Sequence, residues 1–198
     1  MHSSPKGLFC FLFLIFISSL SFAQGKDKST FLFDGFEDGL FWKTAADSSL
    51  DWNSANMALD CSISSEWCTQ GKKCAEFSFG PMNKIHQASF VCTELFEPDW
   101  GKYSEILIDF YNPTEQNISV NIAFMDKETW NWTVCKSALL EPGEHKDVSF
   151  SLTENLRDKK NVQKDPVQKG NELYCAVIQV IGNNKGGTLY IDNFRLVK

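Results

Sequence analysis

Asp99-Trp-Gly-Lys-Tyr-Ser-Glu-Ile-Leu-Ile-Asp-Phe-Tyr-Asn-Pro-Thr-Glu-Gln-Asn-Ile-Ser-Val-Asn-Ile-Ala-Phe-Met-Asp126 reads as a strand, a turn and a second strand. Ile106, Ile108 and Phe110 recur at every second position and fall on one side of a pleated strand, with Leu107, Asp109 and Tyr111 on the other. Pro113 has no N–H for a ladder and turns Asn112 away from helix, so Asn112-Pro-Thr-Glu-Gln116 is the connection. Ile118, Val120, Ile122 and Phe124 then alternate with Ser119, Asn121 and Ala123, the pattern of a half-buried antiparallel strand. The period of two on both sides of a turn predicts an all-β sandwich.

The same signals continue outward. Thr30 to Asp34 is a first strand that runs into Gly35-Phe-Glu-Asp-Gly39, a tight acidic loop. Leu40 to Lys73 has no sustained period and reads as long loops with short strands, rich in Ser, Asn and Asp. Alternation resumes at Ala75, Phe77 and Phe79 and again near Ala88–Thr93. After the central stretch, Thr129–Cys135 places Trp130, Trp132 and Val134 on one strand face, Leu140-Glu-Pro-Gly143 turns, and Val148, Phe150 and Leu152 alternate. Thr153–Lys160 is expected to form a short helical turn inside a lysine-rich connection. Leu173–Ile181 is a nearly continuous apolar run suited to the middle of a sheet, and Thr188–Leu196 closes the chain. Eight or nine strands and almost no helix give a single two-sheet β-sandwich, with a jelly roll as the leading topology.

The amino terminus is a different object. Lys6 precedes an apolar run from Leu8 to Leu20, and Ser21-Phe22-Ala23 ends it with small residues at the cleavage positions. Residues 1–23 are therefore expected to be a secretory signal, residues 24–29 a flexible leader, and residues 30–198 one domain, exported without a transmembrane anchor. With Lys6 removed and no acid lost, the formal charge of −6 becomes −7, a surface not built to attract nucleic acid or an anionic membrane. Cys61, Cys68, Cys74, Cys92, Cys135 and Cys175 remain, an even number after an export signal, which is the expectation of disulfides. No Cys-x-x-Cys pair accompanies His86 or His145, which argues against zinc.

Three places in the chain carry a family likeness: Phe33-Asp-Gly-Phe-Glu-Asp-Gly39, then Asp99-Trp-Gly-Lys-Tyr103 with Ile108-Asp-Phe-Tyr-Asn-Pro113, then Leu189-Tyr-Ile-Asp-Asn-Phe-Arg-Leu196. Together they resemble the start, middle and end of jelly-roll carbohydrate-binding modules and related galactose-binding-like domains. The segment from Cys61 to Cys74 departs from the usual module. The resemblance implies a structural Ca²⁺ tying the first strand to the last, and nominates Asp34, Glu37 and Asp192 as its oxygen ligands.

For a glycan, the expected contacts are Trp130 and Trp132, whose flat apolar indoles suit the C–H face of a sugar ring, with Tyr111 and Asp126 to bond hydroxyls. Trp100, with Trp52 and Trp67, supplies a second, more loop-like set of indoles. Alternation allows Trp130 and Trp132 to be core as readily as platform, and both readings stand at this point. Two sequons, Asn117-Ile-Ser119 and Asn131-Trp-Thr133, are present, the second amid the Trp pair. There is no Gly-x-Ser-x-Gly elbow, no His-Glu-x-x-His and no glycine-rich phosphate loop, so the chain is read as a non-enzyme. The first function expected is a secreted carbohydrate-binding domain acting on a polysaccharide. The alternative is a structural or assembly protein of the cell surface or flagellar sheath that associates with itself, and a small glycoside hydrolase comes third.

Overall fold

The structure is a computed structural model that describes residues 29–46, 56–83, 86–95, 99–158, 161–167 and 172–198. The expected signal of residues 1–23, most of the 24–29 leader and Trp52 lie outside the described residues. Twelve strands follow in order: β1 Thr30–Asp34, β2 Trp42–Thr44, β3 Ala58–Ser64, β4 Cys74–Phe79, β5 Gln87–Cys92, β6 Glu105–Asn112, β7 Ile118–Asp126, β8 Trp132–Val134, β9 Ala138–Leu140, β10 Gly143–Ser151, β11 Leu173–Ile181 and β12 Gly187–Val197. Among the described residues a single 3-10 turn, Trp100–Lys102, precedes β6. Three of these strands have only three residues, which is why alternation alone gave a smaller number. The helical turn expected at Thr153–Lys160 does not form among the described residues; Ser151 Oγ instead accepts the Thr153 and Glu154 amides in a bend.

The strands make two antiparallel sheets. The first runs β10-β6-β12-β4-β3 with β1 alongside β12, and the second runs β2-β5-β11-β7-β8 with β9 alongside β7. The molecule is thus an all-β jelly-roll sandwich. β6 and β7 do not pair with each other, because the Asn112–Gln116 turn carries the chain from one sheet to the other. Asn112 holds that turn: its Nδ2 donates to the carbonyl of Gln116 at 2.7 Å and its Oδ1 accepts the Thr114 amide at 3.0 Å. A crossing places the apolar face of β6 (Ile106, Ile108, Phe110) and that of β7 (Ile118, Val120, Ile122) in one shared core, where each is wholly buried.

Aromatic rings join the two layers. Phe77 of β4 lies 4.1 Å from Phe90 of β5 at 17°, and Trp42, Trp100 and Phe194 pack in the same core. β11 is buried on both faces over most of its length, which accounts for the unbroken apolar run in its sequence. First and last strands meet, Phe31 opposite Leu196 and Asp34 opposite Phe194, so β1 is stitched to β12, which runs through the middle of the first sheet.

The cysteines correct an expectation. All six are free thiols: Cys61 and Cys68 half-buried, Cys74, Cys92, Cys135 and Cys175 buried. The buried ones fill space as small apolar side chains. Their enclosure pushes the thiols of Cys74, Cys92, Cys135 and Cys175 up to about 12, so they stay protonated.

Candidate functional site

The turn between β7 and β8 is built around Asp126. Its Oδ1 accepts the amides of Glu128 and Thr129 at 2.9 and 2.7 Å and the Thr129 hydroxyl at 3.0 Å. The Asp126 carbonyl accepts the Trp130 amide, while the Asp126 amide donates to the carbonyl of Asn131, both at 3.0 Å. Between these bonds Trp130 is left at φ 58°, a left-handed conformation that costs a bulky side chain. Trp130 therefore belongs to the turn and not to the strand face the alternation assigned it.

The strain coincides with exposure. Trp130 is 56% exposed, and its ring stands 5.0 Å from that of Tyr174 at 45°. Tyr174 occupies an irregularity in β11, between Leu173 and Cys175, which turns its ring out of the ladder. Trp132 is half-buried and packs on a small apolar group that includes Met125, Cys175 and Val177. Trp130 is thus platform-like, and Trp132 belongs to the apolar group on which Tyr174 also packs. A cavity of about 280 Å³ opens beside the turn, lined by Asp126, Thr129, Asn131, Thr133, Gln163 and Lys164 among others. Hydroxyls, amides and charges converge in that cavity, the mix that fixes a polyhydroxylated ligand, and Trp130 follows its lining residue Thr129 and precedes Asn131 without itself lining it. On the outer face of the same sheet, Ser89, Gln179 and Asn121 stand in one cross-strand row, and Asn121 Oδ1 is buried without a hydrogen-bond partner.

The remaining expected contacts are elsewhere. Trp100 is fully buried in the 3-10 turn, 5.4 Å from Phe33 and 6.1 Å from Phe194, both edge-on. It is a core residue, which corrects its placement among ligand contacts; flanking Asp99, Gly101 and Lys102 made a buried indole look like a loop. Tyr111 points out from the first sheet, on the opposite layer, stacked between Trp67 and Tyr190. Tyr174 and Tyr190 were not singled out in the sequence, since each sits in an apolar strand and only the register shows that its ring faces outward.

Asp34, Glu37 and Asp192 do not converge on a common point. Among the described residues no three His, Cys, Asp or Glu side chains are arranged to hold a metal ion. Each carboxylate is occupied by N–H donors. Asp34 accepts the Phe36 amide at 2.8 Å and the Trp42 indole at 3.0 Å. Asp192 Oδ2 accepts the Thr69 and Gln70 amides at 2.6 and 2.8 Å. Glu37 Oε1 accepts the Lys72 and Lys73 amides at 2.5 and 2.7 Å. Backbone amides of the turn between β3 and β4 thus tie both acids, and these oxygens do not fit a calcium site. Burial pushes Asp34 up to about 6 against the lowering pull of Phe36 and Trp42, with Asp192 adding repulsion. Burial also raises Asp192, opposed by its amide donors. Exposed Glu37 is held below its ordinary range by its two amides.

No family model matches the chain, and no curated protein does. Solved structures do. A family 11 carbohydrate-binding module from Clostridium thermocellum in complex with a β-1,3-1,4-mixed-linked tetrasaccharide is 18% identical, covers 85% of this chain and 95% of its own, and superposes with a TM-score of 0.58. The solution structure of CtCBM11 is 18% identical over 87% of this chain and 96% of its own, TM-score 0.62. A non-crystalline-cellulose-specific module, CBM28, is 17% identical over 81% and 90%, TM-score 0.53. The chain has the jelly-roll fold of carbohydrate-binding modules.

Proposed function

We propose that the protein is an exported, non-catalytic carbohydrate-binding protein that stacks a polysaccharide on Trp130, with the polar cavity beside the β7–β8 turn taking the hydroxyls. The observation that carries this reading is Trp130 itself: a large indole held open to solvent on a strained backbone, against Tyr174 and beside a polar cavity. Strain at an exposed aromatic is retained where the position serves something other than the core. The fold neighbours supply the ligand class, since their glycans include mixed-linked β-glucan and non-crystalline cellulose. Export rests on residues 1–23, and the secreted chain is expected to begin at Gln24. Titration of the chain with mixed-linked β-glucan and with hydroxyethyl cellulose tests the reading. Binding that Trp130→Ala weakens without lowering the melting temperature supports it, and no binding to either overturns it.

The self-assembly alternative has its own observation. β3 is the outer strand of the first sheet and carries Leu59 at 66% exposure beside an irregularity in its pairing. A concentration-dependent oligomer that Leu59→Lys dissolves supports this second reading, and a monomer at all concentrations rejects it.

A further inference from the structure

The first sheet carries, on its outer face, an aromatic row that the Trp130 site does not use. Tyr111 of β6 and Tyr190 of β12 are direct cross-strand partners, with rings 5.9 Å apart and inclined by 26°. Trp67, from the turn between β3 and β4, extends the row with its ring 5.8 Å from Tyr111 and also at 26°. All three residues are half-buried. Rings inclined by 26° at this separation are offset from one another, and each of the three residues keeps part of its surface exposed. A sugar chain presents successive apolar C–H faces, which such a row can cover one after another.

Trp67 is held there before any ligand arrives. The turn that bears it is fixed by four amides, Thr69 and Gln70 on Asp192 and Lys72 and Lys73 on Glu37. A loop already fixed spends little ordering entropy on binding. The polar groups around the row are mainly acceptors and hydroxyls, and the cation beside it, Lys146, is paired at 3.3 Å with Glu144, which stands opposite Tyr111. Glu76 stands opposite Tyr190 in the next strand, and on the following rung the hydroxyls of Ser78 and Thr188 lie 3.5 Å apart. Burial, then the charges of Glu76 and Glu66, raise the Tyr190 phenol, so both carboxylates act on the row. Carboxylates accept from hydroxyls and repel uronates and sulfates.

We propose that Trp67, Tyr111 and Tyr190 form a second glycan platform, on the sheet opposite Trp130, selective for a neutral polysaccharide over an anionic one. It stands independently of the Trp130 reading, because the two platforms share no residue and lie on different sheets.

The test is native affinity electrophoresis of the full chain in gels containing hydroxyethyl cellulose, mixed-linked β-glucan or arabinoxylan, all neutral, and carboxymethyl cellulose, anionic. Retardation by at least one neutral polymer is expected, with little by the anionic one. In Trp130→Ala, retardation persists, and adding Tyr190→Ala or Trp67→Ala weakens it by about tenfold. Ser78→Gln, which leaves the three rings intact but fills the space beside them, produces a similar loss, so the result does not depend on how well the ring variants fold. Complete loss in Trp130→Ala alone, unchanged binding in Ser78→Gln, or preference for carboxymethyl cellulose overturns the second platform and leaves the first standing. No retardation of the wild type by any neutral polymer overturns both.

Discussion

Asp109 of β6 and Asp192 of β12 stand opposite each other in the first sheet, both almost wholly buried, and Thr69 lies between their carboxylates. The Thr69 hydroxyl donates to Asp109 Oδ2 at 2.6 Å while its amide donates to Asp192 Oδ2 at 2.6 Å. Asp109 also accepts from Asn193 Nδ2 at 3.0 Å, from the Asp147 amide at 2.8 Å and from Arg195 at 3.4 Å. Asn193 and Asp147 both lie where a flanking strand slips register, at φ 55° and 54°. Two irregular strands therefore aim their donors at one acid, and two adjacent carboxylates are tolerated because each is surrounded by donors.

Thr69→Val keeps the shape of the side chain and removes only the hydroxyl, so buried Asp109 Oδ2 loses one of its two donors and keeps Asn193 Nδ2. A loss of about 1–3 kcal/mol in unfolding free energy is expected from denaturant titration. Because the same turn carries Trp67, the variant should also shift the tryptophan emission. Wild-type stability in Thr69→Val would show that Asp109 is satisfied without it.

A pH dependence follows from Asp34. Its ordinary value of 3.8 rises to about 6 in the fold, so the folded protein holds this proton more tightly than the unfolded chain. The group's contribution is most favourable below its unfolded value and declines as pH rises toward the folded one. The decline amounts to about 2–3 kcal/mol. Asp192 is raised as well and has the same sign, whereas Glu37 is lowered and costs stability only at more acidic pH. Melting curves between pH 4.5 and 7 should fall with rising pH in the wild type and fall less in Asp34→Asn. Equal slopes in the two proteins would remove Asp34 as the cause.

The thiols give a direct chemical readout. Iodoacetamide at mild alkaline pH should label Cys68, in the turn between β3 and β4, ahead of Cys74, Cys92, Cys135 and Cys175, whose burial holds them protonated. Denaturation without reductant should expose all six. Fewer than six labelled cysteines in the denatured, unreduced protein would show disulfides in the exported form.

The layers of the sandwich were legible because Ile106, Ile108 and Phe110, and then Ile118, Val120 and Ile122, repeat with the period of a pleat whatever sheet they join. Their partners were not legible. Register is set by turns such as Asn112–Gln116, and the side-chain bonds of Asn112 that send β7 into the other sheet leave no periodic trace. The aromatic sites were half legible for the same reason. Trp130 was visible as a candidate, but its exposure arises from the Asp126 turn, and Trp100, in a stretch of similar polarity, went to the core. The acids of the opening and closing motifs were singled out as ligands of a calcium ion tying the first strand to the last, whereas in the structure N–H donors occupy them. For Glu37 and Asp192 the donors are amides of the segment from Cys61 to Cys74, in which sequence shows side chains and says nothing of where the backbone N–H groups point.

Trp100 and Trp130 should respond oppositely to mutation. Trp100 is wholly enclosed by Phe33, Phe124 and Phe194, so Trp100→Ala empties a core site and is expected to cost about 3–5 kcal/mol of stability. Trp130 has a left-handed backbone that glycine adopts without penalty. Trp130→Gly should therefore leave stability unchanged or raise it by up to about 1 kcal/mol, even though a large aromatic ring is removed. If the ring is there for a ligand, glycan binding should fall in the same variant by about tenfold or more. Melting and binding measured on the same preparations separate the cases. A Trp130→Gly protein that loses stability as Trp100→Ala does would mean that the indole is packing against Tyr174 for the sake of the fold, and the carbohydrate reading of this turn would give way.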